Sequence, residues 1–222
     1  SAKLVLVGRD IKFEAISSSE EREIFNVYSP RGEYLKLRTK LLGPHQVMNA
    51  ATAIGIVEEL GLHGINISSD AIREGVASAR WAGRLDIAAK SPRIVLDGAQ
   101  NKASAAALVR SIKEIFKFRK LILVLGVSKD KDISGILEEL LPISDSIILT
   151  KANVPARARE PMSIKELIKT HDADIVATVG EAIKRARARA DEEDLILVTG
   201  SLFVVGEAME MLGHSVIREG DK

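Results

Sequence analysis

Five short apolar runs alternate with amphipathic helical segments in the second part of this 222-residue chain, and this alternation constrains the fold most strongly. The runs are Arg93–Leu96, Leu121–Leu125, Ser146–Leu149, Asp174–Ala177 and Leu195–Val198. The helical segments are Ala103–Phe116, Ile133–Leu140, Ile164–Lys169, Glu181–Ala190 and Leu202–Leu212. Strands that are apolar on both faces and alternate with helices are typical of a parallel sheet covered on each side. We therefore predict an α/β fold with a mostly parallel sheet and helices on both faces.

The first part of the chain has a different pattern. Predicted strands are Lys3–Val7, Ile11–Ile16, Ile24–Tyr28 and Glu33–Thr39, with a hairpin turn at Ser29-Pro30-Arg31-Gly32. Apolar residues then recur at helical spacing from His45 to Leu60, and Gly61 is predicted to stand just after the helix, at the C′ position. The segment Ser68-Ser69-Asp70 caps a second predicted helix that runs to about Ala79. The pattern changes again after Trp81, so we place a domain boundary near residues 80–84.

The composition excludes several classes of function. With no cysteine, the chain has neither a disulfide framework nor a thiolate metal site. A net charge of +1 gives no general attraction to nucleic acid or to an acidic membrane surface. The apolar run at Leu121–Val127 is too short to span a bilayer, and the start at Ser1 has no signal-peptide pattern. We expect a cytoplasmic protein with neither nucleic acid nor membrane as a partner, and an abrupt start at Ser1 that is not a native N-terminus.

Polar and small residues follow four of the predicted strands, where ligands bind in open α/β sheets. These segments are Asp97–Asn101, Gly126–Asp132, Thr150–Asn153 and Thr199–Ser201. Ser201 precedes a helix, so it is either a carboxylate or phosphate site or an ordinary N-cap. Asp97 is suited to ribose hydroxyls, and its alternative is a turn-forming role. Arg84 is suited to clamping a phosphate, and its alternative is an exposed surface position.

Loop patterns that cradle phosphates are not found in the sequence. It contains neither G-x-x-x-x-G-K-[ST] nor G-x-G-x-x-G, and no zinc-hydrolase or serine-hydrolase pattern. A polar strand-end surface without a phosphate loop of its own suggests one half of a larger ligand site.

Six segments carry a family pattern in one order along the chain. They are Leu42–Ala51 (G-x-H-Q-x-x-N-A-A), Trp81–Arg84 (W-P-G-R), Leu96–Asn101 (L-D-G-A-H-N), Ser128–Asp132 (a D-K-D turn), Pro155–Ala158 (P-R-A) and Thr199–Glu207 (T-G-S-L-Y-L-V-G-E). Together they resemble the folylpolyglutamate and dihydrofolate synthases of the Mur ligase superfamily. Three positions depart from the pattern: Gln100 replaces the usual His, Ala82 replaces Pro, and Lys102 stands where Pro is common.

The resemblance implies a domain organisation and a reaction. Residues 1–80 would be the C-terminal part of the central ATP-binding domain, with a small β-hairpin and helix segment. Residues 81–222 would be the Rossmann-like C-terminal ligase domain. In this family ATP phosphorylates a carboxylate, and the amine of glutamate attacks the acyl phosphate. ATP and Mg²⁺ are the implied cofactors, with the Mg²⁺ ligands outside this chain and no metal ligands within it.

The resemblance also implies roles for individual residues. Gln46 and Asn49 would approach the adenine, Arg84 would act on the ATP phosphates as the catalytic residue, and Asp97 would bind the ribose. Gln100, Asn101 and Ser201 would line the site for the incoming glutamate and the acyl end. The implied partners are a folate-type acyl substrate and L-glutamate, and we expect a monomer. Asp130, Lys131 and Arg157 match motif positions without an assigned role.

Two alternatives remain open at this point. One is another amino-acid ligase of the same superfamily, such as a cell-wall ligase or a cyanophycin synthetase. The other is a non-catalytic module, which either binds a nucleotide or an amino acid or serves only as a scaffold. The ligase interpretation predicts that these 222 residues alone do not turn over ATP, because the phosphate loop is missing.

Overall fold

A computed structural model describes residues 4–168 and 172–214 of the chain. These residues form two compact units. One comprises the residues up to Trp81 together with Glu114–Phe116, and the other comprises Ala82–Lys113 and the residues from Lys117 onward. No helix within the described ranges is long and apolar enough to cross a bilayer.

The first unit contains a three-stranded antiparallel sheet and two helices. The strands, in spatial order, are β1 (Lys12–Ser18), β2 (Glu23–Ser29) and β3 (Gly32–Thr39), and the helices are α1 (Pro44–Gly61) and α2 (Ser69–Ser78). Alternate residues of β2, Phe25 and Val27, are fully buried and pack with Ile54 of α1 and Ile72 of α2. Within the predicted cap segment Ser68-Ser69-Asp70, Ser68 is the residue that caps α2, since its Oγ accepts a hydrogen bond from the Ala71 N–H at 3.2 Å.

Two local predictions in this unit were wrong. Residues 4–7 of the predicted first strand do not form one, because the N–H groups of residues 9, 10 and 11 all donate to the Leu6 carbonyl and fold the chain back. Lys3 lies outside the described residues. Gly61 belongs to α1, and Leu62 after it keeps right-handed helical angles. The glycine with a positive φ after this helix is Gly64, at φ 82°.

The second unit is built on a six-stranded sheet. Its strands are β4 (Asp86–Lys90), β5 (Arg93–Leu96), β6 (Leu121–Leu125), β7 (Ser146–Leu149), β8 (Ala173–Ile175) and β9 (Leu195–Thr199). The spatial order is β4-β5-β9-β6-β7-β8; β4 is antiparallel to β5, and every other pair is parallel. The predicted mostly parallel α/β fold is therefore confirmed.

Helices follow the strands of this sheet as the alternation predicted. They are α3 (Lys102–Ile115), α4 (Ile133–Leu140), α5 (Pro161–Lys165), α6 (Val179–Arg189) and α7 (Leu202–Leu212), with a short 3-10 helix at Leu141–Ile143. The segment predicted for α5 was Ile164–Lys169. The helix begins three residues earlier, at Pro161, and ends at Lys165. Lys169 lies outside the described residues.

Both faces of the sheet are buried, which explains the continuous apolar runs. Ile196 and Val198 of β9 pack in one cluster with buried residues of α6 and α7. The alternate residues Leu195 and Leu197 are fully buried as well. Because successive strand side chains point to opposite faces, these residues lie on the other face. β5, β9, β6 and β7 thus form the centre of the sheet, with their carboxyl ends at one edge.

Candidate functional site

The carboxyl ends of four neighbouring parallel strands bring the predicted polar segments together. β9 lies between β5 and β6, so the loop that starts at Thr199 is flanked by the loops that start at Asp97 and Gly126. Ser128 and Ser201 are 73 positions apart in sequence, yet their Oγ atoms are 3.4 Å from each other. Both side chains are buried and line a narrow cavity. The strand order creates this site, because in the sequence its loops are widely separated.

Ser201 forms the N-cap of α7. Its backbone is extended, and its Oγ accepts a hydrogen bond from the Phe203 N–H at 3.2 Å. The first N–H groups of a helix have no intrahelical partner and carry a partial positive charge. The cap role is thus present, and an anion-binding role for the same helix end stays a prediction.

Unpartnered hydroxyls also occur at this edge of the sheet. Thr199 and Thr150 are fully buried at the ends of β9 and β7, and neither Oγ1 has a hydrogen-bond partner among the described residues. A buried polar group without a partner is uncommon and costs free energy. The strand ends therefore retain hydrogen-bonding capacity that the described residues leave unused.

Asp97 follows β5 and is 7% exposed. Its Oδ2 accepts a hydrogen bond from the Leu85 N–H at 2.9 Å, and its Oδ1 accepts one from the Ala99 N–H at 2.8 Å. Burial raises the pKa of this carboxyl, and the two backbone donors and the nearby Arg84 partly offset that effect. Each carboxylate oxygen can accept a second hydrogen bond, so the predicted contact with ribose hydroxyls remains chemically possible.

Arg84 is half-buried and lies over the turn that contains Gly98. A Cβ atom at Gly98 would lie 2.5 Å from the Arg84 Nη1, so a larger residue at this position would displace the guanidinium. The two motif segments are joined by a hydrogen bond from the Gly98 N–H to the Gly83 carbonyl at 2.9 Å. Gly83 itself has a positive φ of 65°, which favours glycine. Arg84 and Asp97 therefore belong to one site.

Gln100 and Asn101 form the entrance to α3. The backbone N–H groups of both residues donate to the Ser104 Oγ at 3.0 and 3.1 Å. In return, the Ser104 N–H donates to the Asn101 Oδ1 at 2.9 Å, which makes Asn101 the helix cap. The Gln100 side chain is half-buried. Sequence reasoning placed both residues at the site but did not identify Ser104 as the residue that holds them.

Removing the Asn101 cap should lower stability. We expect Asn101→Ala to reduce the free energy of unfolding by about 1 kcal/mol, because the Ser104 N–H loses its acceptor. Asn101→Asp should restore most of that loss, since a carboxylate also caps well. Urea denaturation of the three proteins measures the difference. An alanine variant as stable as the wild type would contradict the capping role.

The loops after β6 and β7 are braced by Arg159. Its Nη2 donates to the carbonyls of Lys129 at 2.9 Å and Lys131 at 3.2 Å. Asp130 forms an ion pair with Lys131 at 3.0 Å, which lowers the pKa of Asp130. Asp132 caps α4 through the Gly135 N–H. The sequence does not predict this brace, because nothing in the local pattern distinguishes Arg159 from Arg157.

Gln46 and Asn49 lie in the first unit, at the start of α1. The Asn49 Nδ2 donates to the Gln46 Oε1 at 3.1 Å, and the Gln46 Nε2 lies 3.1 Å from the His45 Nε2. Both residues line a cavity of about 590 Å³ whose other lining residues include Leu41, Ile54, Val57, Ile67, Ile72 and Trp81. An apolar cavity with a few amide groups is suited to a flat heterocycle.

The described part of the chain contains no group of three or more His, Asp or Glu residues that is suited to a metal ion.

The family comparison matches the part of the chain that forms the strand-end site. The model of the Mur ligase family, glutamate ligase domain, matches residues 83–202, which is just over half of the chain and includes Arg84, Asp97 and Ser201. The chain belongs to the Mur ligase family. The family resemblance that the six motifs indicated is thus confirmed, and the residue roles taken from it stay predictions.

Among the similar proteins of this Mur ligase chain is a probable bifunctional folylpolyglutamate synthase/dihydropteroate synthase of Haloferax volcanii. It is 35% identical over 188 residues, which are 83% of this chain and 22% of that protein. A dihydrofolate synthase/folylpolyglutamate synthase of Bacillus subtilis is 28% identical over 90% of this chain and 46% of its own length. The chain therefore spans less than half the length of these relatives.

A solved structure supports the same family. A bifunctional folylpolyglutamate synthase/dihydrofolate synthase with Mn, AMPPNP and L-glutamate bound has a TM-score of 0.79 and 25% identity, and the match covers 95% of this Mur ligase chain and 48% of that protein.

Proposed function

We propose that this chain is part of an ATP-dependent ligase that adds L-glutamate to a folate-type carboxylate through an acyl phosphate. The observation that supports this most directly is the strand-end site itself, where Arg84, Asp97 and Ser201 lie within the matched glutamate ligase domain. The relatives named above are folylpolyglutamate synthases, and one of them is solved with L-glutamate bound. We further propose that residues 1–80 are the last part of the ATP-binding domain and residues 81–222 the ligase domain.

Arg84 is proposed to stabilise the phosphoryl group during transfer. Phosphoryl transfer spreads negative charge over the phosphate oxygens, and a planar guanidinium binds two of them at once. The backbone of Gly98 leaves room for this side chain, and the buried Asp97 carboxylate lies close enough to affect it electrostatically. The Asp97 carboxylate is held by two backbone N–H groups before a ligand arrives, which lowers the cost of reorganising this group during the reaction.

The N-terminus of α7 is proposed to hold the α-carboxylate of the incoming glutamate. Its free N–H groups and the Ser201 hydroxyl can donate hydrogen bonds to a carboxylate. Gln100 can also donate through its amide, but an amide does not titrate near neutral pH. Gln100 is therefore proposed to orient the amino acid, and it is not the base that takes a proton from the attacking amine.

Gln46 and Asn49 are proposed to bind the adenine edge. A primary amide presents one donor and one acceptor side by side, which matches the donor and acceptor atoms of adenine. The apolar walls of the 590 Å³ cavity suit the faces of the ring.

The proposal predicts that ADP is released only when both a folate-type carboxylate and L-glutamate are present. The assay uses the native polypeptide that contains these 222 residues, with coupled detection of ADP and radiolabelled glutamate. Arg84→Gln should lower kcat by about 100-fold or more, because a phosphate-stabilising charge is lost. Arg110→Gln is the matched control: it removes an exposed arginine in the middle of α3 and should leave kcat unchanged. ADP release without glutamate incorporation would contradict the proposal.

A further inference from the structure

We propose that Asp86 is a positioning residue for Arg84 and that His214 holds the Asp86 carboxylate in place. The inference rests on the proposed function, in which Arg84 acts on phosphate, and adds to it the side chains that fix the turn carrying this arginine. It is carried by the backbone angles of the turn, by the two partners of the Asp86 carboxylate, and by the packing of the turn against α7.

The turn that carries Arg84 has an unusual backbone. Gly83 has a φ of 65° and Leu85 has a φ of 48°, so Arg84 lies between two residues with a positive φ. Leucine rarely adopts a positive φ, because its Cβ atom then lies too close to the backbone, and Leu85 is also fully buried. A conformation of this kind persists only where the surrounding structure holds it. The groups that hold this turn therefore matter for the position of Arg84.

Three hydrogen bonds fix the backbone of the turn. The Gly83 N–H donates to the Asp86 Oδ2 at 3.2 Å, and the Leu85 N–H donates to the Asp97 Oδ2 at 2.9 Å. The Gly83 carbonyl accepts a hydrogen bond from the Gly98 N–H at 2.9 Å. Of the two carboxylates, Asp97 has a proposed role at the ribose. Asp86 is therefore the one whose role the proposed function leaves open.

The contact with Gly83 connects Asp86 to the Arg84 side chain. The Gly83 carbonyl also accepts a hydrogen bond from the Arg84 Nη1 at 3.4 Å, so the guanidinium is folded over the residue that Asp86 holds. Glycine rotates more freely than other residues, because it has no Cβ atom. The hydrogen bond to Asp86 restricts this rotation, and it therefore acts on the guanidinium through the backbone of Gly83.

His214 holds the other oxygen of the Asp86 carboxylate. Its Nε2 lies 3.0 Å from the Asp86 Oδ1, and both side chains are largely buried, with 23% and 18% exposed. Because a carboxylate only accepts hydrogen bonds, the Nε2 is the donor in this pair. The backbone of His214 is fixed as well, since its N–H donates to the Met209 carbonyl of α7 at 2.9 Å. Both oxygens of Asp86 are thus engaged, one by the turn and one by the residue that follows α7.

Helix α7 contacts the turn at a second point. A Cβ atom at Gly83 would lie 2.6 Å from the Val205 Cγ1, so the glycine backbone lies directly against this helix. The same helix begins after Ser201, the residue proposed to hold the α-carboxylate of glutamate. The turn that carries Arg84 is therefore attached to the helix that carries the proposed amino-acid site.

The test measures steady-state kinetics in the native polypeptide that contains this chain. We expect Asp86→Ala to lower kcat at least about tenfold, because a small displacement of Arg84 weakens its contact with phosphate. The KM for L-glutamate should change by less than about twofold, since Ser201 and the start of α7 are not altered. Asp86→Asn should recover most of the lost kcat, because an amide oxygen still accepts from the Gly83 N–H. His214→Gln should have a smaller effect than Asp86→Ala, since Gly83 keeps its acceptor.

A double-mutant cycle separates positioning from a general loss of structure. If Asp86 acts through Arg84, Asp86→Ala should change kcat by less than about twofold in an enzyme that already carries Arg84→Gln. In the wild-type background the same change should cost at least about tenfold. Losses that simply multiply in the double variant would contradict the inference, because independent effects are additive in free energy.

Asp174 provides the matched control. It lies on β8, the edge strand opposite β4, and its partly buried carboxylate forms an ion pair with Arg185 of α6 at 3.0 Å. Asp174→Ala therefore removes a comparable interaction from the same sheet and should leave kcat unchanged. Thermal unfolding of both variants shows whether they are folded at the assay temperature. An equal fall in kcat for Asp174→Ala and Asp86→Ala would contradict the inference.

The outcomes that overturn the inference are distinct from those that overturn the proposed function. An active wild type together with an unchanged kcat for Asp86→Ala contradicts the inference alone. A rise in the KM for glutamate without a fall in kcat also contradicts it, because the turn would then serve the amino-acid site. A wild-type enzyme that incorporates no glutamate contradicts the proposed function.

Discussion

Gly200→Ala is expected to lower the free energy of unfolding by about 3 kcal/mol or more and to abolish the proposed ligase activity. Gly200 joins β9 to α7 with a φ of 101°, a conformation that residues with a Cβ atom rarely adopt. A Cβ atom would also lie 2.7 Å from the Gly126 carbonyl oxygen, which belongs to the backbone of the neighbouring loop and cannot rotate away. The strand end must therefore shift, and Ser201 and the start of α7 shift with it.

Gly206→Ala is the matched control for this prediction. Gly206 lies within α7, and a Cβ atom there would have no neighbour within 4 Å. Alanine should stabilise the helix by up to about 1 kcal/mol, because it is the better helix former. Urea denaturation and the ADP-release assay are applied to both variants. If the Gly200→Ala variant is as stable as the Gly206→Ala variant, the close approach of the two loops does not restrict position 200 to glycine.

Asp97→Asn is expected to have the second large effect. The carboxylate accepts hydrogen bonds from two buried N–H groups, those of Leu85 and Ala99. An amide has only one oxygen, so one of these donors faces an NH₂ group and loses its acceptor. A buried donor without a partner costs about 1–3 kcal/mol. Because Leu85 directly follows Arg84 and Ala99 belongs to the Leu96–Asn101 segment, the proposed ligase activity should fall as well.

The effect of Asp97 on stability should depend on pH with a definite sign. Burial raises the pKa of this carboxyl in the folded protein above its ordinary value. The folded state therefore keeps the proton at pH values where the unfolded chain has lost it, and the contribution of Asp97 to stability decreases as the pH rises through that range. The Asp97→Asn variant has no carboxyl to titrate at this position, so it serves as the reference for the wild type.

This dependence is measured by urea denaturation of the wild type and of Asp97→Asn between about pH 4 and about pH 8. The range starts at about pH 4 because this is the ordinary pKa of a carboxyl group. The stability advantage of the wild type should become smaller as the pH rises. An advantage that increases with pH would show that the hydrogen bonds from Leu85 and Ala99 outweigh burial.

Much of the second unit could be predicted from the sequence. The strands β5, β6 and β7 and the helices α4 and α7 have the predicted boundaries. Continuous apolar runs identify strands that are buried on both faces, and the cap residue Ser201 marks where α7 begins. β4 was missed, because its residues Asp86–Lys90 are only partly buried, include two alanines and lack a clear apolar run.

The candidate site was predicted only as a set of strand ends. That Asp97, Gln100 and Ser201 follow parallel strands is visible in the sequence, and the general rule for α/β sheets then places them at one edge. The strand order is not visible, so neither the position of β9 between β5 and β6 nor the contact of Ser128 with Ser201 could be derived. The hydrogen bonds from Arg159 to the Lys129 and Lys131 carbonyls could not be derived from the sequence either.

The sequence by itself determined the α/β class, most strand and helix positions in the second unit, and the family to which this chain is similar. Only the tertiary structure decided which strand ends are neighbours, which N–H groups donate to Asp97, and which of the two loop arginines donates to the loop carbonyls. Periodicity and helix caps depend on residues a few positions apart, and they can therefore be read locally. Strand order and side-chain partners depend on the packing of segments that are distant in the chain, and no local pattern records them.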